Sequence, residues 1–354
     1  MNGPGPIAPA LLAWFRQNAR ALPFRQDPTP YHIWVSEIML QQTRVAAALE
    51  HYRRFMEALP DIPSLAACPD EELFKLWEGL GYYRRVRSMQ KAAQLVCERY
   101  GGQLPADYDA LLALPGIGPY TAGAIASIGF GLPAPAVDGN VLRVFARLYD
   151  DAGPIDDPAV KRLFTRRVMA WQPAGRPGDY NQALMELGAL VCLPGGAPLC
   201  ARCPLAGCCA GLRAGTAHAL PRKAPPKPRR VLPVTAVLVR EEGAGRRLLQ
   251  QRPASGLLAG LWQPPAFEGA ALDGQAVGAA LASIGLDPGQ DAPQALPPAK
   301  HVFTHVEWQL TGWRVTVPAQ PAPAGCVWAA PADLEGRYAL PAAFAAYRKF
   351  LLET

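Results

Sequence analysis

At 354 residues, half of them apolar, the chain is long enough for more than one domain with a core of its own, and its formal charge of +6 permits a polyanionic partner without demanding one. The longest weakly polar run, Ala122 to Val137, is broken by Gly and Pro, which excludes a membrane-spanning helix. The first fifteen residues lack a basic segment ahead of a long apolar core, so no secretory signal is expected, and the crowding of five of the eight cysteines between Cys192 and Cys209 then points to a metal site rather than disulfides.

In chain order, Pro9 to Arg20 reads as a short amphipathic helix, followed by Leu22-Pro23-Phe24-Arg25 and the turn-rich Asp27-Pro28-Thr29-Pro30. The helical segment Ile33 to Thr43 carries Glu37 among Ile33, Trp34, Ile38 and Leu40. A carboxylate so placed loses hydration, which raises its pKa; the plain alternative is a salt-bridged Glu at the edge of the apolar face. His51 to Tyr100 repeats the helix–turn–helix pattern, with turns at Pro60-Asp61 and Gly79. Trp77 to Arg85 is a glycine-loosened turn rich in aromatics and bases, either an ordinary interhelix turn or a wedge for a base stack.

The stretch Leu111 to Arg147 organises the chain. Leu114-Pro115-Gly116-Ile117-Gly118-Pro119 reads as a tight turn between two helices, whose glycines permit positive φ and close approach of another molecule. Pro119 suits the first position of the next helix, and free N–H groups at such a start bind a phosphate well. Asp138, in Val137-Asp138-Gly139-Asn140-Val141, stands before a new apolar-periodic run, as an N-cap does.

Asp156 to Trp171 and Tyr180 to Cys192 read as two more helices, the second running into a C-x7-C-x2-C-x5-C array that ends at Cys209. Four closely spaced thiolates suit a [4Fe–4S] cluster, with zinc as the physical alternative, and Cys208 is spare. His218 to Pro233 is a linker whose residues 221–230 hold five basic and no acidic side chains. The pattern then turns to strands at 234–239 and 247–251, joined by a hairpin loop at 242–245. Val306, Trp308 and Leu310 alternate, as do Trp313, Val315 and Val317 with shifted phase, which predicts a bulge at Gly312. A C-terminal helix is expected from Pro341 to Leu352.

Asp138, 20 residues after Gly118, completes a pattern that resembles the helix–hairpin–helix plus Gly/Pro-Asp loop of the base-excision DNA glycosylases. Trp34 to Val45, WVSEIMLQQTRV, closely resembles the adenine-specific mismatch glycosylases of the MutY type, and Gly256 to Trp262, GLLAGLW, resembles the Nudix-like domain appended to them. The resemblance covers essentially the whole chain. It implies a mostly α N-terminal helix–hairpin–helix glycosylase domain with an iron–sulfur loop (residues 1–217), the linker 218–233, and a C-terminal α+β Nudix-like lesion-recognition domain (234–354). It also implies a [4Fe–4S] cluster on Cys192, Cys200, Cys203 and Cys209 of loop 192–209, although this chain has one residue more than the family in the first gap.

The implied activity is that of a monofunctional glycosylase that flips out and removes adenine opposite 8-oxoguanine or guanine. Glu37 is then the catalytic acid. Asp138 stabilises the oxocarbenium-like sugar or bonds to it transiently, Asn140 orients Asp138, and Tyr120 flanks the reacting centre. Phe24 (where many members have Trp), Arg25 and Gln182 hold the base, Gln41 and Gln42 probe the opposite strand, and Tyr82 is the wedge. Gly116 and Gly118 meet the DNA backbone. Thr304 and His305, in a loop resembling the family's Phe-Ser-His, reach the 8-oxoguanine. The expected partner is double-stranded DNA with A:8-oxoguanine or A:G mispairs, bound by a monomer in the cytoplasm, associated with the nucleoid and no membrane.

Three rivals are weaker. A glycosylase/lyase needs an amine nucleophile, which the sister family supplies 18 residues before the Asp; here that position is Tyr120. The presence of both Glu37 and Asp138 opposes a non-catalytic lesion-binding protein. A Nudix hydrolase would need a Glu-rich magnesium box that this domain lacks.

Overall fold

The computed structural model describes residues 7–195, 198–225 and 227–353. The chain forms two compact units: residues up to 67 together with 88–226, and residues 68–87 together with those from 227 onward. The second unit therefore takes in a segment from far up the chain, which the linear division at 218–233 did not anticipate.

The first unit is helical. Its organising core surrounds helix Gly139–Leu148, where Phe145 and Val141 pack with Leu11 and Phe15 of helix Ala8–Asn18, Phe164 of Pro158–Ala170, and Tyr180, Leu184 and Leu187 of Pro177–Leu190. The expected helix around Glu37 runs Pro30–Leu40, with Thr29 as N-cap and Pro30 in its first turn. From Ile33 to Met39 every residue of this helix is buried, so that part of its sequence is buried on all sides rather than along a stripe.

Helices Tyr108–Leu112 and Pro119–Ala124 form the expected hairpin. Of its two glycines only Gly116 uses positive φ (+76°), and a Cβ there would come within 2.6 Å of the Ser88 side chain. Gly118 is extended (φ −93°), and a Cβ on it would meet nothing within 4 Å. The fold thus requires Gly116, whereas the space at Gly118 is open to another molecule.

The linker is less free than its prolines imply. Arg222 bridges Pro154, the Ile155 N–H donates to the Arg222 carbonyl at 3.0 Å, and the Ala224 N–H donates to Asp156. Its far end enters the sheet at Arg230.

The second unit is built on seven strands: β1 (Arg230–Glu241), β2 (Arg247–Gln251), β3 (Trp262–Gln263), β4 (Ala266–Glu268), β5 (Gln294–Val302), β6 (Val306–Val317) and β7 (Cys326–Ala329). Their order is β3-β2-β1-β6-β5, with β4 also on β1 and β7 also on β2; β1 and β6 run parallel over their full lengths. The expected bulge at Gly312 is not there, since β6 passes through Gly312 in unbroken register with β1. The phase changes because both sheet faces are covered. Trp308 and Leu310 pack with Phe344 and Tyr347 on one face, while Val315 and Val317 pack with Val277 and Leu281 of helix Gly274–Ser283 on the other. The irregularity lies across the ladder, between Leu296 and Ala299 of β5, where Pro297 and Pro298 have no N–H to give. The C-terminal helix is interrupted, being 3-10 over Ala342–Tyr347 and α over Arg348–Leu352.

Candidate active site

One cavity of about 600 Å³ in the first unit collects Glu37, Tyr120, Asp138, Asn140, Phe24, Arg25, Gln41, Gln42 and Gln182. These residues come from five separate stretches of chain, which the packing of helices Pro30–Leu40, Pro119–Ala124 and Pro177–Leu190 brings together. An adjoining cleft of about 730 Å³ shares Gln42 and Asp138 to Asn140 and extends past Pro194 to His218 and Lys223.

The two carboxylates of the cavity differ in support. Glu37 is 7% exposed and accepts a hydrogen bond from the Tyr120 hydroxyl. Burial raises its carboxyl to about 7; Tyr120 pulls the other way, Asp138 pushes it further up and Arg25 pulls it down. Asp138 caps helix Gly139–Leu148, accepting from the Val141 N–H at 2.8 Å and the Asn140 side chain at 2.7 Å. Burial raises it as well, but these donors and Arg143 act in the opposite sense. Burial, then the charges of Glu37 and Asp138, hold the Tyr120 hydroxyl well above the ordinary phenol range, so it remains a donor.

Asn140 is itself held. Its side-chain oxygen accepts from Arg143, whose other donors reach the carbonyls of Gly188 and Cys192 at 2.8 Å. A Cβ at Gly188 would lie 2.5 Å from that of Asn140, so only glycine lets the two helices close here.

Glu186 was missed from the sequence. It is 1% exposed in the cavity wall and accepts from both Arg20 and Arg25 at 2.8 Å. Burial alone would raise it, but hydrogen bonds from Arg20 and then Arg25 outweigh that and hold it down to about 2. The signal was available: a lone carboxylate in the small and apolar run Ala183 to Leu190, the same kind of anomaly that marks Glu37.

The remaining expected residues lie outside the cavity, and Gln42 lies at its exposed edge. Gly116 and Gly118 stand in the hairpin turn, outside the cavity. Gln42 is exposed at a φ of +61°, a conformation rare for a non-glycine residue. In the second unit Tyr82 is 51% exposed at a φ of +49°. Thr304 and His305 are exposed in the turn between β5 and β6, whose Phe303 tucks against Trp308 with ring centroids 5.0 Å apart.

The cysteine loop packs on the same core as helix Gly139–Leu148. Burial, then the nearby Cys192, Cys209 and Cys200, push the Cys203 thiol up to about 12, and Cys209 is raised by burial and by Cys192 and Cys200. Cys208, also raised by burial, lies instead beside Arg213. Arg147 donates to the Cys192 sulfur at 3.2 Å. Among the described residues, however, no three His, Cys, Asp or Glu side chains converge as a group that could hold a metal ion. Gly196 and Ala197, in the lengthened first gap, lie outside the described residues.

Residues 35–169 match the HhH-GPD superfamily of base excision DNA repair proteins, and residues 235–349 match the NUDIX domain. The chain is similar to the adenine DNA glycosylase of Mus musculus, 40% identical over 306 residues, a match that takes in 72% of this chain and 59% of that protein's length. Among solved structures it is similar to a thermostable thymine-DNA glycosylase (27% identity, TM-score 0.53, 59% of this chain and 95% of that one). It is also similar to endonuclease III in a non-covalent complex with DNA (27% identity, TM-score 0.51, 61% of this chain and 99% of that one).

Proposed function

We propose, on the premise that residues 35–169 belong to the HhH-GPD superfamily of base excision DNA repair proteins, that this chain is a monofunctional glycosylase removing adenine mispaired with 8-oxoguanine or guanine in double-stranded DNA. The observation that carries the reading is a pair of unlike carboxylates in one cavity. Glu37, raised to about 7, keeps a substantial protonated fraction at neutral pH and can give that proton up; Asp138, also raised by burial but tied to two N–H donors, is the better suited of the two to act as an anion.

Adenine inside a duplex is out of reach, so it must leave the stack and enter the cavity. Phe24 offers it an aromatic face, and Arg25 and Gln182 offer polar partners for its edge. As the bond from the sugar to the base breaks, its electron pair leaves with adenine, and Glu37 transfers its proton to the base directly or through a water. The sugar becomes cationic beside Asp138, whose carboxylate stabilises it until water adds; Asn140, fixed by Arg143, keeps that carboxylate aimed. Glu186 locks Arg25 in the wall. Tyr120 orients Glu37 and, as a phenol, forms no Schiff base, so the DNA strand stays intact.

Discrimination of the opposite base falls to groups at the cavity's edge, Gln41 and Gln42, and to Tyr82, Thr304 and His305 of the second unit. The Thr304 hydroxyl and His305 imidazole suit the altered N7–H and O8 edge of 8-oxoguanine. Gln42 and Tyr82, exposed in strained backbone, suit insertion beside it, with Gln41 behind; strain of this kind persists where surrounding structure insists on it. The open space at Gly118, beside the turn that Gly116 makes possible, suits a phosphate.

The chemistry of Cys192, Cys200, Cys203 and Cys209 suits a [4Fe–4S] cluster, as four thiols of one loop: Cys192, Cys203 and Cys209 pack against the helical core and Arg147 donates to the Cys192 sulfur, although the four sulfurs do not converge among the described residues. Such a cluster would brace the loop that meets Arg143 and Arg147. The protein would work as a monomer in the cytoplasm, associated with the nucleoid through DNA. Free adenine released from an A:8-oxoguanine duplex tests the reading. Glu37→Gln should bind that duplex and release almost none, and near-normal release would remove Glu37 from the mechanism.

A further inference from the structure

The segment 68–87 carries Tyr82, yet it belongs with the sheet rather than with the helical unit that flanks it in sequence. Its charges say why. Glu78 accepts from Lys75 at 2.6 Å, from Arg348 at 2.9 Å and from the Leu340 N–H at 3.2 Å, with only 17% of its side chain exposed. Glu71 pairs with Arg337 at 2.9 Å, and Lys75 also reaches the Leu334 carbonyl. At the other end Arg87 donates to the Ala259 carbonyl at 2.8 Å while its guanidinium lies over the Phe74 ring. Ala259 belongs to the GLLAGLW stretch. Gly260, at a φ of +70°, leaves the space Arg87 fills, since a Cβ there would come within 2.5 Å of the guanidinium.

Between these two anchors the loop is tightly specified. The Trp77 indole donates to the Gly81 carbonyl at 3.0 Å, and Arg85 donates to the carbonyls of Leu80 and Gly81. The Arg85 guanidinium lies 5.4 Å from the Trp77 ring centroid and 5.5 Å from that of Tyr82. Tyr82, the residue that ends up exposed and strained, is thus the tip of a stack whose base rests on Trp77.

We propose that Glu78 and Arg87 are positioning residues through which the sheet domain holds the Tyr82 loop in its strained, base-stack-ready form, so that this domain governs wedge insertion as well as reading the damaged base. Anchors on both sides of a loop lower the entropy lost when it inserts, and removing either should let Tyr82 relax toward ordinary backbone. The inference rests on the reading of Tyr82 as a wedge, not on the excision chemistry.

The test uses the full chain and an A:8-oxoguanine duplex with 2-aminopurine beside the lesion, whose fluorescence reports insertion. Glu78→Ala and Arg87→Met should each cut the insertion signal toward that of Tyr82→Ala, weaken binding about tenfold, and speed amide hydrogen exchange across residues 79–85. The saturated single-turnover rate should stay within threefold, because the cavity is untouched. Arg87→Lys, which can still reach the Ala259 carbonyl, should recover most of the signal. Should Glu78→Ala not fold, Glu78→Gln keeps an acceptor for the Leu340 N–H and carries the same comparison. A wild-type insertion signal and affinity in both anchor variants would overturn the proposal, as would a large loss of saturated rate with insertion intact. A wild-type protein that inserts through Tyr82 but excises no adenine would defeat the functional reading alone.

Discussion

Replacing Glu37 by Gln should inactivate the protein and stabilise it, and the size of the gain should depend on pH. The Glu37 carboxyl is raised from an ordinary 4.5 to about 7, first by burial. A folded pKa above the unfolded one means the folded state binds the extra proton. The native state therefore bears no penalty below about pH 4.5, accumulates one between 4.5 and 7, and carries it in full above 7. A gap of about 2.5, at 1.36 kcal/mol for each, gives roughly 3 kcal/mol. Gln is a neutral near-isostere that can still meet the Tyr120 hydroxyl, so it should match the wild type at pH 4.5 and exceed it by up to about 3 kcal/mol at pH 8.5. Urea unfolding of both proteins at matched pH, followed by a probe in the helical unit, measures the difference. The wild-type excision rate should fall with the same midpoint near 7 as pH rises, since the acid is lost as the penalty appears. A stability difference that did not change between pH 4.5 and 8.5 would refute the assignment of a buried, proton-holding Glu37.

Other outcomes follow from the same geometry. Tyr120→Lys puts an amine beside Asp138, in a setting whose burial lowers a lysine pKa, and should give a covalent DNA complex trapped by borohydride; a folded variant that traps none would show that position 120 does not face the sugar. The protein as isolated should be yellow-brown with about four irons; Cys203→Ser should lose them and Cys208→Ser should keep them, whereas stoichiometric zinc in a native preparation would contradict the cluster. Thr304→Ala with His305→Ala should cost on the order of 1–3 kcal/mol in the preference for 8-oxoguanine over guanine, read as a ratio of affinities and single-turnover rates, with excision itself retained. Those point changes are cleaner than removing residues from 234 onward, which would strip segment 68–87 of its partners.

What the sequence disclosed, and what it hid, divides along a physical line. Glu37 stands out as a carboxylate inside an apolar helix and Asp138 as an N-cap before a periodic run, but each pattern also fits a plain structural role, and it is the family resemblance that singles them out. Glu186 carries a similar anomaly, but its meaning depends on Arg20 and Arg25, which meet it only in three dimensions. The bulge expected at Gly312 failed because one alternation with a phase change fits both a bulge and a strand buried on two faces; Tyr347 against Gly312 decides for the second. Segment 68–87 was the least legible. Its helix–turn–helix pattern groups it with the neighbouring helices, and no local pattern can show that Glu78 finds Arg348 270 residues away. The linker misled for the same reason, since its pairing with Pro154 to Asp156 is a tertiary contact.

The central claim, removal of adenine without strand scission, is tested most directly by strand cleavage of labelled duplexes carrying adenine opposite 8-oxoguanine, guanine or thymine, with and without alkali. The account predicts nicking at the adenine only after alkali, strong opposite 8-oxoguanine and guanine and negligible opposite thymine. Nicking without alkali, or none on any duplex from folded, iron-containing protein, would contradict it.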